Sequence, residues 1–393
     1  MAKYRFGDIC KVLNGRAYKQ NELLASGKYP ILRVGNFFSS DRWYYSDMEL
    51  PEDKYCDYED LLFAWSASFG PKIWDGEKVI YHYHIWKLIP NDDIADKWYL
   101  YYWLRHSVNR LTAGTHGSVM AHMTKGDMEN QSIELPSLQT QRKISSILRT
   151  IDEKIHNNVA INNNLEQQAQ AIFKSWFVDF EPFGGVQPPE MKFVPLQELC
   201  KVVTKGTTPT TLGKPFTSSG INFIKAESIL DSHSIDSSKF AFIDEETNAL
   251  LKRSIIKAND IVFTIAGTLG RFAMVDNSVL PANTNQAVAI IRPDENKVTP
   301  AYLYSFFIGN WHNEYYSKRI QQAVQANLSL TTIKSLPIAV LSNTTMNDYD
   351  ELVSPLFALM KGNEEENRRL SELRDTLLPK LMSGELDVSN IEL

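Results

Sequence analysis

Apolar and polar positions follow one order along the chain, and that order occurs twice. Each half opens with a short mixed segment, continues to an apolar strand, and reaches a second apolar strand that runs into a Ser/Thr/Gly turn. A Leu-Pro step then precedes a long helical pattern. The matching segments are 6–10 and 196–200, 30–34 and 222–226, 60–70 and 260–270, and the steps Leu135-Pro136 and Leu336-Pro337. A repeat close to half the chain length predicts a duplicated domain rather than a solenoid.

The pattern at the end of each half is that of a coiled-coil helix, with apolar side chains at alternating spacings of four and three. In the first helix these seam positions are Ile144, Leu148, Ile151, Ile155, Asn158, Asn162, Leu165, Ala169, Ile172 and Trp176. In the second they are Val353, Leu356, Met360, Asn363, Asn367, Leu370, Arg374, Leu377 and Leu381. Pro136-Ser137 indicates where the first helix begins, whereas the start of the second is not marked clearly. Pro379 predicts a kink or early fraying near the end of the second helix.

Four asparagines on these seams, Asn158, Asn162, Asn363 and Asn367, predict how the helices pair. In an antiparallel pair, setting Asn158 opposite Asn367 also sets Asn162 opposite Asn363. The same register pairs Ile144 with Leu381, Leu148 with Leu377, Ile155 with Leu370, Leu165 with Met360, and Ala169 with Leu356. Polar seam residues fix a register because a slip would bury them without partners. The alternative is that each helix packs separately on its own domain.

These patterns predict an α/β fold of the α+β kind, with two tandem domains joined by a two-helix antiparallel coiled coil and related by a pseudo-two-fold axis. We expect domains at residues 1–136 and 192–338. The central helix should span 137–180, a linker 181–191, the C-terminal helix 345–383 and a tail 384–393.

Composition and charge limit the class of protein. The chain has 393 residues and a net charge of −6, and the segment from residue 341 onward holds 11 acidic and 5 basic residues. The globular halves are therefore close to neutral, so that a basic face on each is compatible with the overall acidity. No apolar run is long enough to span a bilayer. The three separated cysteines, Cys10, Cys56 and Cys200, are expected to be reduced thiols of a cytoplasmic protein.

The sequence offers no catalytic motif. The glycine-rich segment 206–215 has six residues between its glycines and Pro after its Lys, which does not match a phosphate-binding loop. Neither an Asp-Pro-Pro-Tyr nor an Asn-Pro-Pro-Tyr motif, with which amino-methyltransferases hold a flipped base, occurs. His82 and His84 are predicted to share one face of an alternating strand. A metal there is conceivable, although a half-exposed strand face is the simpler interpretation.

Polar and glycine-rich segments recur at matching places in both halves and suit nucleic-acid contacts. Small hydroxyl residues and backbone amides beside a cation favour phosphate, while Asn, Gln, Arg and Lys can read base edges in the major groove. The candidates in the first domain are Arg33, Asn36, Ser68, Lys72, His116, Ser118, His122 and Lys125. In the second domain they are Lys225, Thr268, Arg271, Asn283, Gln286, Gln325 and Asn327. Taken singly, each of these residues also has an interpretation as a loop stabiliser.

Four stretches carry a resemblance to a known family over nearly the whole chain. They are the strand-turn segment 260–271 with 283–288, the segment 133–136 leading into 141–144, the helix end 171–180, and the closing segment 377–385. In these the chain resembles the specificity subunit of type I restriction–modification systems. A departure is Ser342-Asn343-Thr344-Thr345, where the family has a Pro-rich, Gln-containing helix start.

The resemblance implies a non-catalytic subunit with two target recognition domains. Each would read one half of a bipartite sequence in double-stranded DNA, and the paired helices would hold the halves apart. The implied partners are two methyltransferase subunits and, through them, the restriction subunits. S-adenosylmethionine, ATP and Mg²⁺ are expected on those partners, with no cofactor or metal in this chain. Two other classes remain open, namely a self-contained modification enzyme and a scaffold whose duplicated domains bind protein.

Overall fold

The computed structural model describes residues 1–38, 42–66, 68–112, 123–311, 327–389 and 391. The chain divides into two units. Unit 1 comprises residues 1–157 together with 366–393, and unit 2 comprises residues 158–365. Each long helix therefore contributes one part to each unit. Among the described residues, no helix has both the length and the apolar character that crossing a membrane requires.

Unit 1 is built on two four-stranded sheets. Its strands are β1 Ala2–Arg5, β2 Cys10–Asn14, β3 Tyr29–Leu32, β4 Tyr44–Ser46, β5 Tyr55–Cys56, β6 Leu61–Ser66, β7 Ser68–Ile73, β8 Val79–Tyr81, β9 Ile85–Pro90 and β10 Ser132–Leu135. One sheet has the order β2-β9-β6-β7 and the other β4-β3-β8-β5, while β1 pairs with β10. The helices are α1 Phe6–Ile9, α2 Val34–Phe38, α3 Lys97–Thr112, α4 Lys125–Glu129 and α5 Leu138–Phe177, of which α5 continues into unit 2.

Unit 2 repeats this plan. Its strands are β11 Lys192–Pro195, β12 Cys200–Lys205, β13 Ile221–Ile224, β14 Ala241–Ile243, β15 Ile261–Thr264, β16 Phe272–Met274, β17 Ala282–Thr284, β18 Val288–Pro293 and β19 Pro337–Val340. The helices are α6 Glu245–Leu250, α7 Pro300–Ile308, α8 Leu330–Lys334 and α9 Asn343–Ser383, of which α9 ends in unit 1. The sheet β12-β18-β15-β16 corresponds to β2-β9-β6-β7, and the parallel pair β13–β17 corresponds to β3–β8. The predicted α/β fold class and its duplication are confirmed.

A carboxylate, half-buried in unit 1 and fully buried in unit 2, braces the start of the central strand in both units. Asp60 accepts from the backbone N–H of Asp57 and lies 2.6 Å from the Lys87 ammonium. Asp260 accepts from the backbone N–H of Lys257 and is held by two bonds from Arg292, at 2.7 and 2.6 Å. The residue before each carboxylate has a left-handed backbone, with φ of 64° at position 59 and 65° at position 259. The repeat thus extends to individual bonds.

The two long helices pack against each other inside each unit, and they do so in an antiparallel sense. In unit 2, Asn363 Nδ2 donates to Asn162 Oδ1 at 2.8 Å, while Ala169 and Leu356 share one apolar cluster. In unit 1, Ile144 and Leu148 share a cluster with Leu377 and Leu381. The predicted pairing of Asn162 with Asn363 is confirmed, the shared clusters agree with the antiparallel arrangement, and separate packing of the helices is wrong.

Two polar contacts in unit 1 also agree with an antiparallel arrangement of the two helices. Arg374 Nη1 donates to Asp152 Oδ1 at 2.8 Å, and Lys154 Nζ lies 3.2 Å from Glu366 Oε2. Asn158 belongs to unit 2 and Asn367 to unit 1, so their predicted pairing stays a prediction.

Serine caps begin both long helices. Ser137 Oγ accepts from the N–H of Thr140 at 3.2 Å, and Ser342 Oγ accepts from the N–H of Thr345 at 3.3 Å. A hydroxyl cap supplies one of the acceptors that the first helical turn lacks. The second helix therefore begins at Asn343, two residues before the predicted start. It continues through Pro379 to Ser383, so the expected early fraying is wrong, since buried Leu378, Leu381 and Met382 anchor that last turn.

Candidate nucleic-acid interface

The topology brings the ends of several strands to one edge in each unit. In unit 1, β2 and β6 end where their antiparallel neighbours β9 and β7 begin. The parallel strands β3 and β8 end at this edge too, because residues 82–84 alone connect β8 to β9. We call this edge, with residues Arg16, Arg33, Arg42, Trp65, Ser68, His82, Tyr83 and His84, the strand-end surface of unit 1.

The corresponding edge of unit 2 forms in the same way. There β12 and β15 end, β16 and β18 begin, and residues 285–287 connect β17 to β18. The strand-end surface of unit 2 consists of Lys205, Thr207, Thr208, Lys225, Arg253, Thr268, Gln286 and Asn327.

In each unit a glycine directly follows the first long strand and lets two backbone segments approach closely at this edge. A Cβ atom added to Gly15 would lie 2.4 Å from the carbonyl oxygen of His82, and one added to Gly206 would lie 1.8 Å from that of Thr284. Only glycine permits such close approach of two backbone segments. These two glycines occupy equivalent positions and hold the same two chain segments together in both units.

Arginine and tyrosine dominate the surface of unit 1. The guanidinium carbons of Arg33 and Arg42 each lie 5.2 Å from the ring centroid of Tyr44, which is within cation–π range. Arg16 makes a two-bond ion pair with Glu22, at 3.0 and 2.8 Å. Arg33 and Arg42 therefore bring positive charge in a fixed orientation to this edge.

The residues His82 and His84 form a turn rather than the predicted strand face. Residue 82 makes an isolated bridge, and residues 83 and 84 form the turn before β9. Burial, with further effects from His84 and Arg33, lowers the pKa of His82 to about 4, so its ring is neutral at pH 7. No cluster of three His, Cys, Asp or Glu residues suited to a metal occurs within the described part of the chain.

Hydroxyl, amide and lysine side chains make up the surface of unit 2. Thr208 donates to the side-chain oxygen of Gln286, and Arg253 Nη2 donates to Thr207 Oγ1 at 3.3 Å. Lys225 Nζ lies 3.3 Å from Glu227 and 5.6 Å from the ring centroid of Phe216.

Two further candidates of unit 2 lie at the same edge. Thr268 is exposed in the turn between β15 and β16, and its carbonyl oxygen accepts from Thr264. Exposed Asn327 lies beside this turn because the next residue, Leu328, donates its N–H to Ile265 O at 2.9 Å. Four predicted residues, Lys225, Thr268, Gln286 and Asn327, thus come together.

Asn283 is wrong as a base-reading candidate. Its side chain is fully buried and accepts from Ser254 Oγ at 2.7 Å, while its Nδ2 donates to Asn248 Oδ1 at 2.8 Å. A side chain at the end of a central strand that satisfies its bonds inside the protein has a scaffold role.

Arg271 is committed to an internal contact. It makes two bonds with the Asp231 carboxylate, at 2.7 and 2.5 Å, and its side chain is 26% exposed. Asp231 lies in the loop whose His233 contacts Glu166 of α5 at 3.0 Å. Arg271 therefore helps to fix that loop.

The remaining candidates of unit 1 are distributed more widely. Ser68 is exposed at the strand-end surface, where it pairs with Ser66 across the hairpin. Asn36 holds local backbone, since it accepts from Arg33 N–H at 3.3 Å and donates to Arg42 O at 2.9 Å.

Two lysines lie on other elements. Lys72 lies further along β7, 3.3 Å from Asp75, and lines a cavity of about 510 Å³ beside α3 and α5. Lys125 begins α4 and lies 3.5 Å from Glu129. The candidates His116, Ser118, His122 and Gln325 lie outside the described residues.

Sequence reasoning missed Arg16, Arg42, Trp65 and Tyr83 in unit 1, and Lys205, Thr207, Thr208 and Arg253 in unit 2. For Arg16 and Thr207 a signal was present, because each directly follows one of the two matching glycines. Arg253 is brought to the edge by a contact that no sequence pattern indicates.

The cysteines have the environment of unreactive thiols. Burial raises the pKa of Cys10 to about 12 and that of Cys200 to about 12, and it also raises the pKa of Cys56. A raised pKa keeps the thiol protonated and poorly nucleophilic.

Comparison with known proteins identifies the family. A family model for the type I restriction modification DNA specificity domain matches residues 1–167 and 188–341. The chain therefore belongs to this family, and its function is DNA specificity in a type I restriction–modification system.

Individual relatives agree with that assignment. The chain is 25% identical over 350 residues to the Type I restriction enzyme HindI specificity subunit of Haemophilus influenzae, with 70% of this chain and 74% of that protein covered. It is 22% identical over 405 residues to the EcoBI specificity subunit of Escherichia coli, covering 96% and 84%. The fold matches that of the S subunit from M. genitalium with a TM-score of 0.60 and 17% identity, covering 97% of this chain and 95% of that one.

Proposed function

We propose that each strand-end surface reads one half of a bipartite target in double-stranded DNA. The chain would contribute recognition rather than catalysis, and would position two adenine methyltransferase subunits and, through them, the restriction subunits. S-adenosylmethionine, ATP and Mg²⁺ would be bound by those partners. Membership of the DNA specificity family supports this proposal and gives no support to a protein-binding scaffold or a self-contained modification enzyme.

One observation carries the assignment of the surfaces. The same topology forms an edge of turn residues in both units, and each edge holds cations among groups that can hydrogen-bond to bases. Arg33 and Arg42 provide the cations in unit 1, and Lys205, Lys225 and Arg253 in unit 2. Cations set the position of a protein on the phosphate backbone, whereas amides and hydroxyls discriminate base edges.

The different chemistry of the two surfaces implies different half-sites. Unit 1 presents arginine, histidine and aromatic rings, whereas unit 2 presents threonine, glutamine, asparagine and lysine. We therefore expect an asymmetric target sequence, with the paired helices setting the number of base pairs between the halves.

The test uses the full chain assembled with its methyltransferase subunits. Lys205 and Lys201 lie at opposite ends of β12, which makes Lys201→Ala a matched control for Lys205→Ala. Each variant is measured by DNA binding over a range of salt concentrations and by single-molecule sequencing of methylated adenines. We expect Lys205→Ala to weaken binding and to reduce the salt slope by about 1, because one phosphate contact is lost.

The two variants should differ clearly. Lys201→Ala should match the wild-type complex in both measurements. Equal effects of the two changes would contradict the assignment of the strand-end surface, and an undivided methylation motif in the wild-type complex would contradict the bipartite target.

A further inference from the structure

Backbone hydrogen bonds fix the turn between β8 and β9 in unit 1. His82 N–H donates to Leu32 O at 2.9 Å, and Tyr83 N–H donates to Arg16 O at 3.0 Å. Ile85 N–H closes the turn on His82 O at 2.9 Å. The turn therefore joins the ends of β2, β3 and β9, and its side chains are held in place by the sheet.

Trp65 braces the turn from the neighbouring strand. Its backbone N–H donates to His84 O at 3.1 Å, and its indole Nε1 donates to Tyr83 O at 2.8 Å. The carbonyl groups of the turn are thus bonded within the protein, and of its last two side chains that of Tyr83 is exposed and that of His84 is half-buried.

The side chains form a cluster of rings. The Tyr83 centroid lies 3.9 Å from that of His84 and 4.5 Å from that of His82. Trp65 lies edge-on to His84 at 5.2 Å. Tyr83 remains 38% exposed despite these contacts. Aromatic side chains held in this way offer a large contact area at little cost in conformational entropy.

The position of the cluster relates it to DNA. Arg33, which contributes to the lowered pKa of His82, and Arg42 lie at the same edge over Tyr44. In unit 2 the same three-residue connection is Asn285, Gln286 and Ala287, with Gln286 exposed. The equivalent turns thus present an amide in one unit and rings in the other.

We propose that Tyr83 and His84 are specificity-determining residues for the half-site read by unit 1, with Arg33 and Arg42 as phosphate contacts beside them. The ring of Tyr83 supplies apolar contact in the major groove, where the C5-methyl group of thymine is the apolar feature. The imidazole of His84 supplies a hydrogen-bonding group for a base edge. This inference rests on the proposed function of the strand-end surfaces.

The test compares Tyr83→Ala and His84→Ala with Tyr58→Ala in the assembled complex. Tyr58 is 70% exposed and lies in the connection before β6, at the opposite end of that strand, which makes it a matched control. DNA binding is measured on the methylated motif and on variants of each base pair. We expect each change at the turn to weaken binding of the full motif about tenfold or more, and to relax the motif in one half only.

Three further variants separate base reading from phosphate contact. Arg33→Ala and Arg42→Ala should weaken binding to all sequences alike and reduce the salt slope by about 1 each. Tyr83→Gln, which introduces the amide of the equivalent residue Gln286 in unit 2, should change the preferred base rather than abolish binding.

Each outcome decides the proposal. Unchanged affinity and motif in both Tyr83→Ala and His84→Ala would overturn it, and so would a uniform loss across all sequences, which would assign these residues to folding or to phosphate contact. If the wild-type complex itself showed no bipartite motif, the proposed function would fail first, and the two failures are therefore distinguishable.

Discussion

In unit 1 the carboxylate that braces the central strand pairs with a lysine, Asp60 with Lys87, and in unit 2 it pairs with an arginine, Asp260 with Arg292. The two sites share their backbone bonds and the left-handed residue before the carboxylate. The strand ends are different, since the connections 82–84 and 285–287 have equal length and no residue in common. The two units therefore share the bonds that hold the start of the central strand, whereas the residues of the connecting turns differ between them.

The largest effect should come from removing the more deeply buried brace. Asp260 is completely buried, so Asp260→Ala leaves Arg292 without its partner and should cost unit 2 about 3–5 kcal/mol. In Asp60→Ala the loss should be about 1–2 kcal/mol, because the Asp60 side chain is 23% exposed and water replaces part of the interaction. Hydrogen exchange measures the two units separately.

Exposed carboxylates provide controls for both changes. Glu246 pairs with Lys214 and Asp75 with Lys72, with side chains 72% and 66% exposed. Alanine at either position should leave the hydrogen-exchange rates of that unit unchanged. A greater loss from Asp60→Ala than from Asp260→Ala would reverse the comparison of the two braces.

A smaller effect is expected at the seam of unit 2. Asn162→Leu leaves the Asn363 amide without its partner and should cost about 1–3 kcal/mol. The double change to leucine should recover most of that loss, because two apolar side chains then face each other. A double-mutant cycle in urea measures the coupling, and strictly additive losses would contradict the pairing.

The smallest effect should come from the helix caps. Ser137→Ala and Ser342→Ala should each cost about 1 kcal/mol, observed as faster hydrogen exchange in the first turn of α5 and of α9. Thr344→Ala, beside the second cap, is the control. If only one of the two serine substitutions made hydrogen exchange faster, the two helix starts would not be equivalent.

Much of the fold was predictable because the spacing of apolar residues along the sequence reflects which positions of a helix are buried. The alternating spacings of four and three identified both helices, and the seam asparagines gave a register that Asn162 and Asn363 confirm. The start of α9 was misplaced because a lone serine cap is a weaker signal than a proline.

The surface was predicted less well, for a physical reason. Polar residue types alone do not distinguish Asn283, which is satisfied inside the protein, from exposed Gln286 three positions later. Arg271 was chosen for its charge, and the sequence did not indicate its ion pair with Asp231, 40 positions away in the chain. Such partners depend on tertiary contacts that no local pattern encodes.

The three-residue connections after β8 and β17 have one more consequence. Their side chains lie outside the hydrogen-bonded ladders, so natural variation can rewrite them while the strands on either side keep their pairing. With the role proposed above for these turns, a new DNA target would arise from a few codon changes in one turn, while the pairing of the strands stays the same.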